Sequence, residues 1–284
     1  MCFVSRSAIS AILFAMLSPI SAQPNLPTPG SSWGELRFPG SEQREDEENL
    51  ILEGAVEQGI DLVRLSKDSV LGVFGKVDYT LDTKKLDWNR KLKLGTGIKL
   101  RHYVSSSKVV SVGVKYELDR RFVHDRTMEG VQFFANWFAS WSLPIDFADD
   151  ADSALGIDFP GLTWGEIRYP GSHVIDEEDD FIVEGAIEQG VDWVAVPNWG
   201  TFNTYAALDY IADTEELSYN NALTLGVGAK FKRKIGSQWL LQYGIELAHD
   251  QRWVTGRSED AVVLFLNWSG WWDARATRLD FPKP

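Results

Sequence analysis

The chain has a single cysteine, Cys2, among its 284 residues, and that one lies in the first few positions. Beyond Cys2 the sequence therefore excludes intrachain disulfides, thiol catalysis and cysteine-ligated metals. Histidine is also sparse: His102, His124, His173 and His249 are the only four, and none stands at zinc-ligand spacing from another. Positive charge is in deficit, with a formal net charge of −13, so the basic footprint that nucleic-acid binding requires is missing. No long apolar run follows residue 22, which excludes a helical membrane span in the remainder. No segment keeps a helical hydrophobic period.

What is present starts with MCFVSRSAISAILFAMLSPISA: one positive charge at Arg6, a short apolar stretch and a small residue at Ala22. This has the form of a secretory leader spanning 1–22, and its loss would take the net charge from −13 to −14 because it carries one Arg and no acid. The stretch ILEGAVEQGIDLV, 51–63, then recurs as IVEGAIEQGVDWV, 182–194. The match extends without a gap at an offset of 131, as Glu53 against Glu184 shows, from Pro29/Pro160 to Leu143/Ala274. Roughly a third of these positions are identical, more than chance gives over that length. The layout expected is a leader (1–22), a short linker (23–28), a first repeat (29–143), an acidic linker (144–159), a second repeat (160–274) and a tail (275–284).

Within each repeat apolar and polar residues alternate with period two, the mark of two-faced β-strands. In the first copy six strands are expected near 32–39, 50–64, 70–82, 91–103, 109–122 and 130–142. On 50–64 the apolar face carries Leu52, Val56 and Ile60, and the other face Glu53, Glu57 and Asp61. On 91–103, Leu94 and Ile98 oppose Lys93, Lys99 and Arg101. The fold class is all-β. Two architectures fit: one antiparallel barrel of about twelve strands built from two six-stranded repeats, or two tandem soluble six-stranded barrels or sandwiches.

Strand length favours the single barrel, since the segments run near the ~9–11 residues that cross a bilayer at a tilt. The polar face mixes glycine with charges whose sign changes from strand to strand, as a lumen with cross-strand ion pairs would. Candidate lumen charges are Glu53, Glu57, Asp61, Lys93, Lys99, Arg101 and Arg121, with Glu184, Glu188, Asp192, Lys230, Lys232 and Arg252 in the second copy. Tryptophans gather at strand ends: Trp33, Trp141, Trp164, Trp193, Trp199, Trp253 and Trp271, with Trp239, are expected in an interfacial girdle.

In its leader, alternating strands and tryptophan placement the chain resembles Gram-negative outer-membrane β-barrels as a class. The resemblance implies an outer-membrane location, a lipid partner and a non-enzymatic role as a narrow channel or as an accessory barrel for export or adsorption at the cell surface. A small solute or a polysaccharide is the expected cargo or ligand, and any protein partner is open. One departure is that VVLFLNWSGWW is followed by DARATRLDFPKP, so no aromatic closes the chain. The rival architecture implies a periplasmic or extracellular protein binding a ligand such as a carbohydrate through its tryptophans.

No constellation nominates an active site or a cofactor. The acidic stripe 53/57/61 reads as half of an internal charge lattice rather than a catalytic pair, because both copies keep it. Leu94-Gly95-Thr96-Gly97 has no helix after it to cradle a phosphate. The runs Glu45-Asp46-Glu47-Glu48 and Asp176-Glu177-Glu178-Asp179-Asp180 supply hard oxygen donors suited to calcium. They lack the spacing of a defined calcium loop and read as solvated turns.

Overall fold

In the computed structural model residues 26–39, 48–86, 89–146, 156–171, 179–217 and 220–273 are described. The leader, the tail and most of both acidic runs lie outside them. Twelve strands close into one antiparallel barrel in which each strand pairs with its neighbours in sequence and β1 pairs with β12. The first six are β1 (Pro29–Phe38), β2 (Ile51–Arg64), β3 (Ser69–Asp82), β4 (Lys91–Ser105), β5 (Lys108–Arg121) and β6 (Arg126–Asp146). Then come β7 (Gly156–Tyr169), β8 (Ile182–Val196), β9 (Gly200–Asp213), β10 (Ala222–Ile235), β11 (Trp239–Arg252) and β12 (Arg257–Asp273). Two separate domains are thereby excluded. The expected linker also contracts, because β6 runs on to Asp146 and β7 begins at Gly156, with Leu143↔Phe159 and Ile145↔Ile157 in register. Closure leaves no unpaired strand edge, the condition for a sheet that need not aggregate.

Paired residues share a side of the sheet, so the registers fix which way each side chain faces. Val56, Val77, Leu94, Val112, Val131 and Phe133 face outward and are all exposed large apolar groups, as are Leu225, Val227, Leu247, Val262 and Leu264 in the second half. A band of this extent is foreign to a surface that meets water alone. No helix among the described residues is long and apolar enough to cross a membrane, which says nothing about strands.

The exterior is knitted by aromatic rings laid over glycines. Trp268 on β12 covers Gly34 on β1, and Trp137 on β6 covers Gly165 on β7. A Cβ at either glycine would overlap the indole. The next glycine along each row, Gly54 or Gly185, lies under the hydroxyl of Tyr79 or Tyr210. The same four-strand row thus occurs twice, at the β12–β1 closure and at the β6–β7 junction. Gln58 and Gln189, which break the apolar face of the repeated stretch, accept the indole N–H of Trp272 and Trp141, each at 2.9 Å. Their amides donate to backbone carbonyls of Thr28 and Pro29, and of Phe159 and Pro160.

Candidate functional site: the barrel lumen

All thirteen charges expected in the lumen face it. The acids of β2 reach two strands away: Glu57 pairs with Lys99 and Asp61 with Arg101. On β8, Glu188 pairs with Lys230 and Asp192 with Lys232, both at 2.5 Å. The stagger of a tilted barrel brings β2 against β4 over the intervening small residues of β3, Gly72 among them. Three more of these charges take partners on other strands. Glu53 is taken by Arg37 of β1 at 2.8 Å and Glu184 by Arg168 of β7 at 2.5 Å. Lys93 turns to Glu117 of β5 at 3.1 Å, which also holds Lys115 at 2.8 Å. Arg121 and Arg252 sit beside Asp119 and Asp250.

The tryptophans divide. Trp141 and Trp193 face outward, Trp193 from the bulge that follows Asp192, where its N–H bonds Thr204 Oγ1. Trp199 joins an outer cluster with Phe202, Phe231 and Tyr243, and Trp239 stacks on Trp272. Trp253 lies in the β11–β12 turn, its N–H on Asn221 Oδ1. Trp33, Trp164 and Trp271 do not belong to an outer girdle. Their strand partners Ala55, Ala186 and Ser31 place them on the lumen side. Each sits an even number of residues from a lumen group on its own strand (Glu35, Glu166, Asn267), and Trp33 and Trp164 lie within their strands, not at an end.

Aromatic residues on the polar face were not singled out by the sequence, although their parity with neighbouring charges marks them. Phe74 of β3 meets Phe134 of β6 edge to face at 5.8 Å, and Tyr205 of β9 meets Phe265 of β12 in the same way at 6.3 Å. Lys99 lies 4.7 Å from the Phe74 ring centroid and Lys230 lies 4.2 Å from that of Tyr205. Each cation is thus held by a carboxylate and a ring face together. Phe138 on β6 and Trp271 on β12, strands at opposite sides of the ring, approach to 6.3 Å. That contact spans the lumen and divides its section.

The two sides of the division differ. Beside Asp78 stand Lys76 at 2.8 Å and, across the strand pair, Lys93, in a network that also buries Lys115, Glu117 and Asp119. At the equivalent places beside Asp209 the second half has Ala207 and Thr224, while Glu246 replaces Lys115 and Ala248 replaces Glu117. Tyr205 donates to Glu246 at 2.7 Å. Asp209 is exposed, so the smaller residues leave solvent-accessible space against an acidic wall. Among the described residues no cluster of three or more His, Cys, Asp or Glu is arranged to hold a metal ion.

Two outer-face histidines have polar partners: His102 with Ser69 at 2.9 Å and His249 with Asp260 at 2.7 Å. The Ser69–His102 contact uses Nδ1 and is a cross-strand pair, as the register Ser69↔His102 requires.

No family model matches the chain, and no curated protein matches it in sequence. Solved structures do resemble it. One is the beta domain of the Bordetella autotransporter BrkA, at 13% identity and TM-score 0.41, covering 86% of this chain and 98% of that one. Another is an outer-membrane channel from Pseudomonas putida F1, at 9% identity and TM-score 0.42, covering 88% and 97%. A third is LpxR from Salmonella typhimurium, at 10% identity and TM-score 0.38, covering 84% and 99%.

Proposed function

We propose that the protein is an outer-membrane barrel that conducts small cations through a narrow, off-axis passage along the β8–β12 wall. The embedding rests on the outward band of exposed apolar side chains around a sheet with no edge, an arrangement that lipid satisfies and water does not. One observation carries the passage: Asp209 is solvent-exposed beside Ala207 and Thr224, where the other half packs Lys76 and Lys93 against Asp78. Both halves hold paired charges and rings, but at the level of Asp209 small residues and acids stand where the first half is filled, and the field of that stretch favours cations. The inward rings of Trp33, Trp164 and Trp271, each about half exposed, line the lumen toward the end that carries residues 29 and 273.

The test is conductance of the purified protein in planar bilayers under a potassium chloride gradient. A small conductance with a reversal potential on the cation side supports the reading. Ala207→Lys with Thr224→Lys, which copies the filled half, should abolish it, whereas conductance unchanged in that variant refutes the passage. An accessory role at the cell surface becomes the better reading if the wild-type barrel inserts yet conducts nothing.

A further inference from the structure

At the barrel end opposite the termini the two halves build the same loop clamp with different charge. In the first half Asn49 Oδ1 accepts from Thr83 N, Thr83 Oγ1 and Lys84 N, each at 3.1 Å. Its amide donates to Asp82 Oδ2 at 3.1 Å, and Arg90 Nε stands 3.8 Å from Asp82 Oδ1. One carboxylate, one amide and one guanidinium make a balanced set.

In the second half Asp180 stands where Asn49 does, and its Oδ1 takes the same three donors: Thr214 N at 2.9 Å, Thr214 Oγ1 at 2.8 Å and Glu215 N at 3.3 Å. Asp213 replaces Asp82 and receives Leu217 N and Asn221 Nδ2. The position of Arg90 is now Asn221. Two carboxylates therefore stand at the places that in the first half hold a carboxylate and an amide, and a neutral amide stands at the place of the cation. Asp180 is fully buried, at 0% exposure, and its Oδ2 has no hydrogen-bond partner. Because Oδ1 reproduces the bonds of Asn49 Oδ1, Oδ2 occupies the place of the amide that in the first half points at the Asp82 carboxylate. Asp180 is also the last residue of the run Asp176-Glu177-Glu178-Asp179-Asp180, expected above to be a solvated turn; for Asp180 burial overturns that expectation.

An unpaired buried carboxylate oxygen facing a second carboxylate is costly unless a cation joins them. We propose that Asp180 and Asp213 bind a calcium ion at this rim, replacing the charge that Arg90 supplies in the first half. A donor set of carboxylate oxygens alone, with one of them buried and unpartnered, selects a hard cation. The ion would tie the end of the β7–β8 connection to the β9–β10 connection, as the hydrogen bonds and ion pair of the Asn49–Asp82–Arg90 set do on the other side.

The experiment uses the full chain refolded in detergent, stripped with EDTA and titrated with calcium chloride by calorimetry, with thermal unfolding followed in parallel. The expected result is one site with a dissociation constant on the order of 0.1–1 mM, as in extracellular calcium modules, and a melting temperature that rises with calcium. Asp180→Asn copies Asn49 and should fold with normal stability in EDTA while losing at least about tenfold in affinity. Asn221→Arg copies Arg90 and should raise stability in EDTA and remove the calcium response. A triple change of Asp176, Glu177 and Glu178 to their amides should retain the site. Three results overturn the proposal. They are a melting temperature indifferent to calcium, an Asp180→Asn protein that binds as wild type, or a site lost with the triple change and kept in Asp180→Asn. A calcium-indifferent protein stabilised by acid only while Asp180 is present would show that a shared proton, not a cation, joins the pair.

Discussion

Removing the carboxylate partner of a buried lumen lysine tests the charge lattice most sharply. Lys99 is 8% exposed and Lys230 is 3% exposed, and their partners Glu57 and Glu188 are about a quarter exposed. Breaking a fully buried pair costs ~3–5 kcal/mol because the remaining charge stays desolvated. Partial exposure of the carboxylates lowers this, as does the ring beneath each ammonium, which retains about 1 kcal/mol. Glu57→Gln is therefore expected to destabilise by about 2–3 kcal/mol. Glu57→Gln with Lys99→Met removes the stranded charge and fills its volume, so most of that loss should return, to within about 1 kcal/mol of wild type. The assay is urea unfolding of the refolded barrel in lipid vesicles, followed by tryptophan emission, with the same pair of changes made at Glu188 and Lys230. If Glu57→Gln leaves the midpoint unmoved, the ammonium is solvated and the lattice is not packed. A double variant as unstable as the single one would equally refute the reasoning, since the loss would then come from the glutamate itself.

Three further outcomes follow from the same geometry. Gly34→Val or Gly165→Val should displace the indole of Trp268 or Trp137 and cost roughly 1–3 kcal/mol, whereas Gly236→Asn, with nothing within 4 Å of a Cβ and a side chain that tolerates the φ of +64°, should cost less; urea midpoints separate these. Val112→Arg, in the middle of the outward face of β5, should cost about 2–4 kcal/mol in lipid vesicles, and a tolerant protein would mean that this face does not meet lipid. Asp209→Asn with Glu246→Gln should move the reversal potential toward zero without closing the pore, and a reversal potential unmoved by these changes would place the selectivity elsewhere.

Much of the barrel could be read from parity. Charges and glycines of β2, β4 and β5 alternate with apolar residues so regularly that their facing followed directly, and the thirteen charges singled out all face the lumen. The partners were harder, because a pair such as Lys93–Glu117 depends on which neighbour the stagger favours, and Arg37 and Arg168 lie on strands whose alternation is weaker. Trp33, Trp164 and Trp271 face the lumen although tryptophan favours an interface; their even spacing from Glu35, Glu166 and Asn267 carries that answer. Phe74, Phe134, Tyr205 and Phe265 escaped notice for a related reason: an apolar residue on a polar face looks like noise until its counterpart across the lumen is known. The acidic wall of the second half was visible only by subtraction, as Ala207 and Thr224 standing where Lys76 and Lys93 do. Asp180 shows the converse, one acid of a charged run withdrawn to full burial because Thr214 and Glu215 require an acceptor there.

The measurement that bears most directly on the outward apolar band is fractionation of expressing cells, followed by electrophoresis of the detergent-extracted protein with and without boiling. Recovery with the outer membrane, and a compact band that shifts to the unfolded mobility only on heating, is the expected result for a closed barrel seated in lipid. Recovery in the periplasm or medium, with one mobility at every temperature, would contradict it.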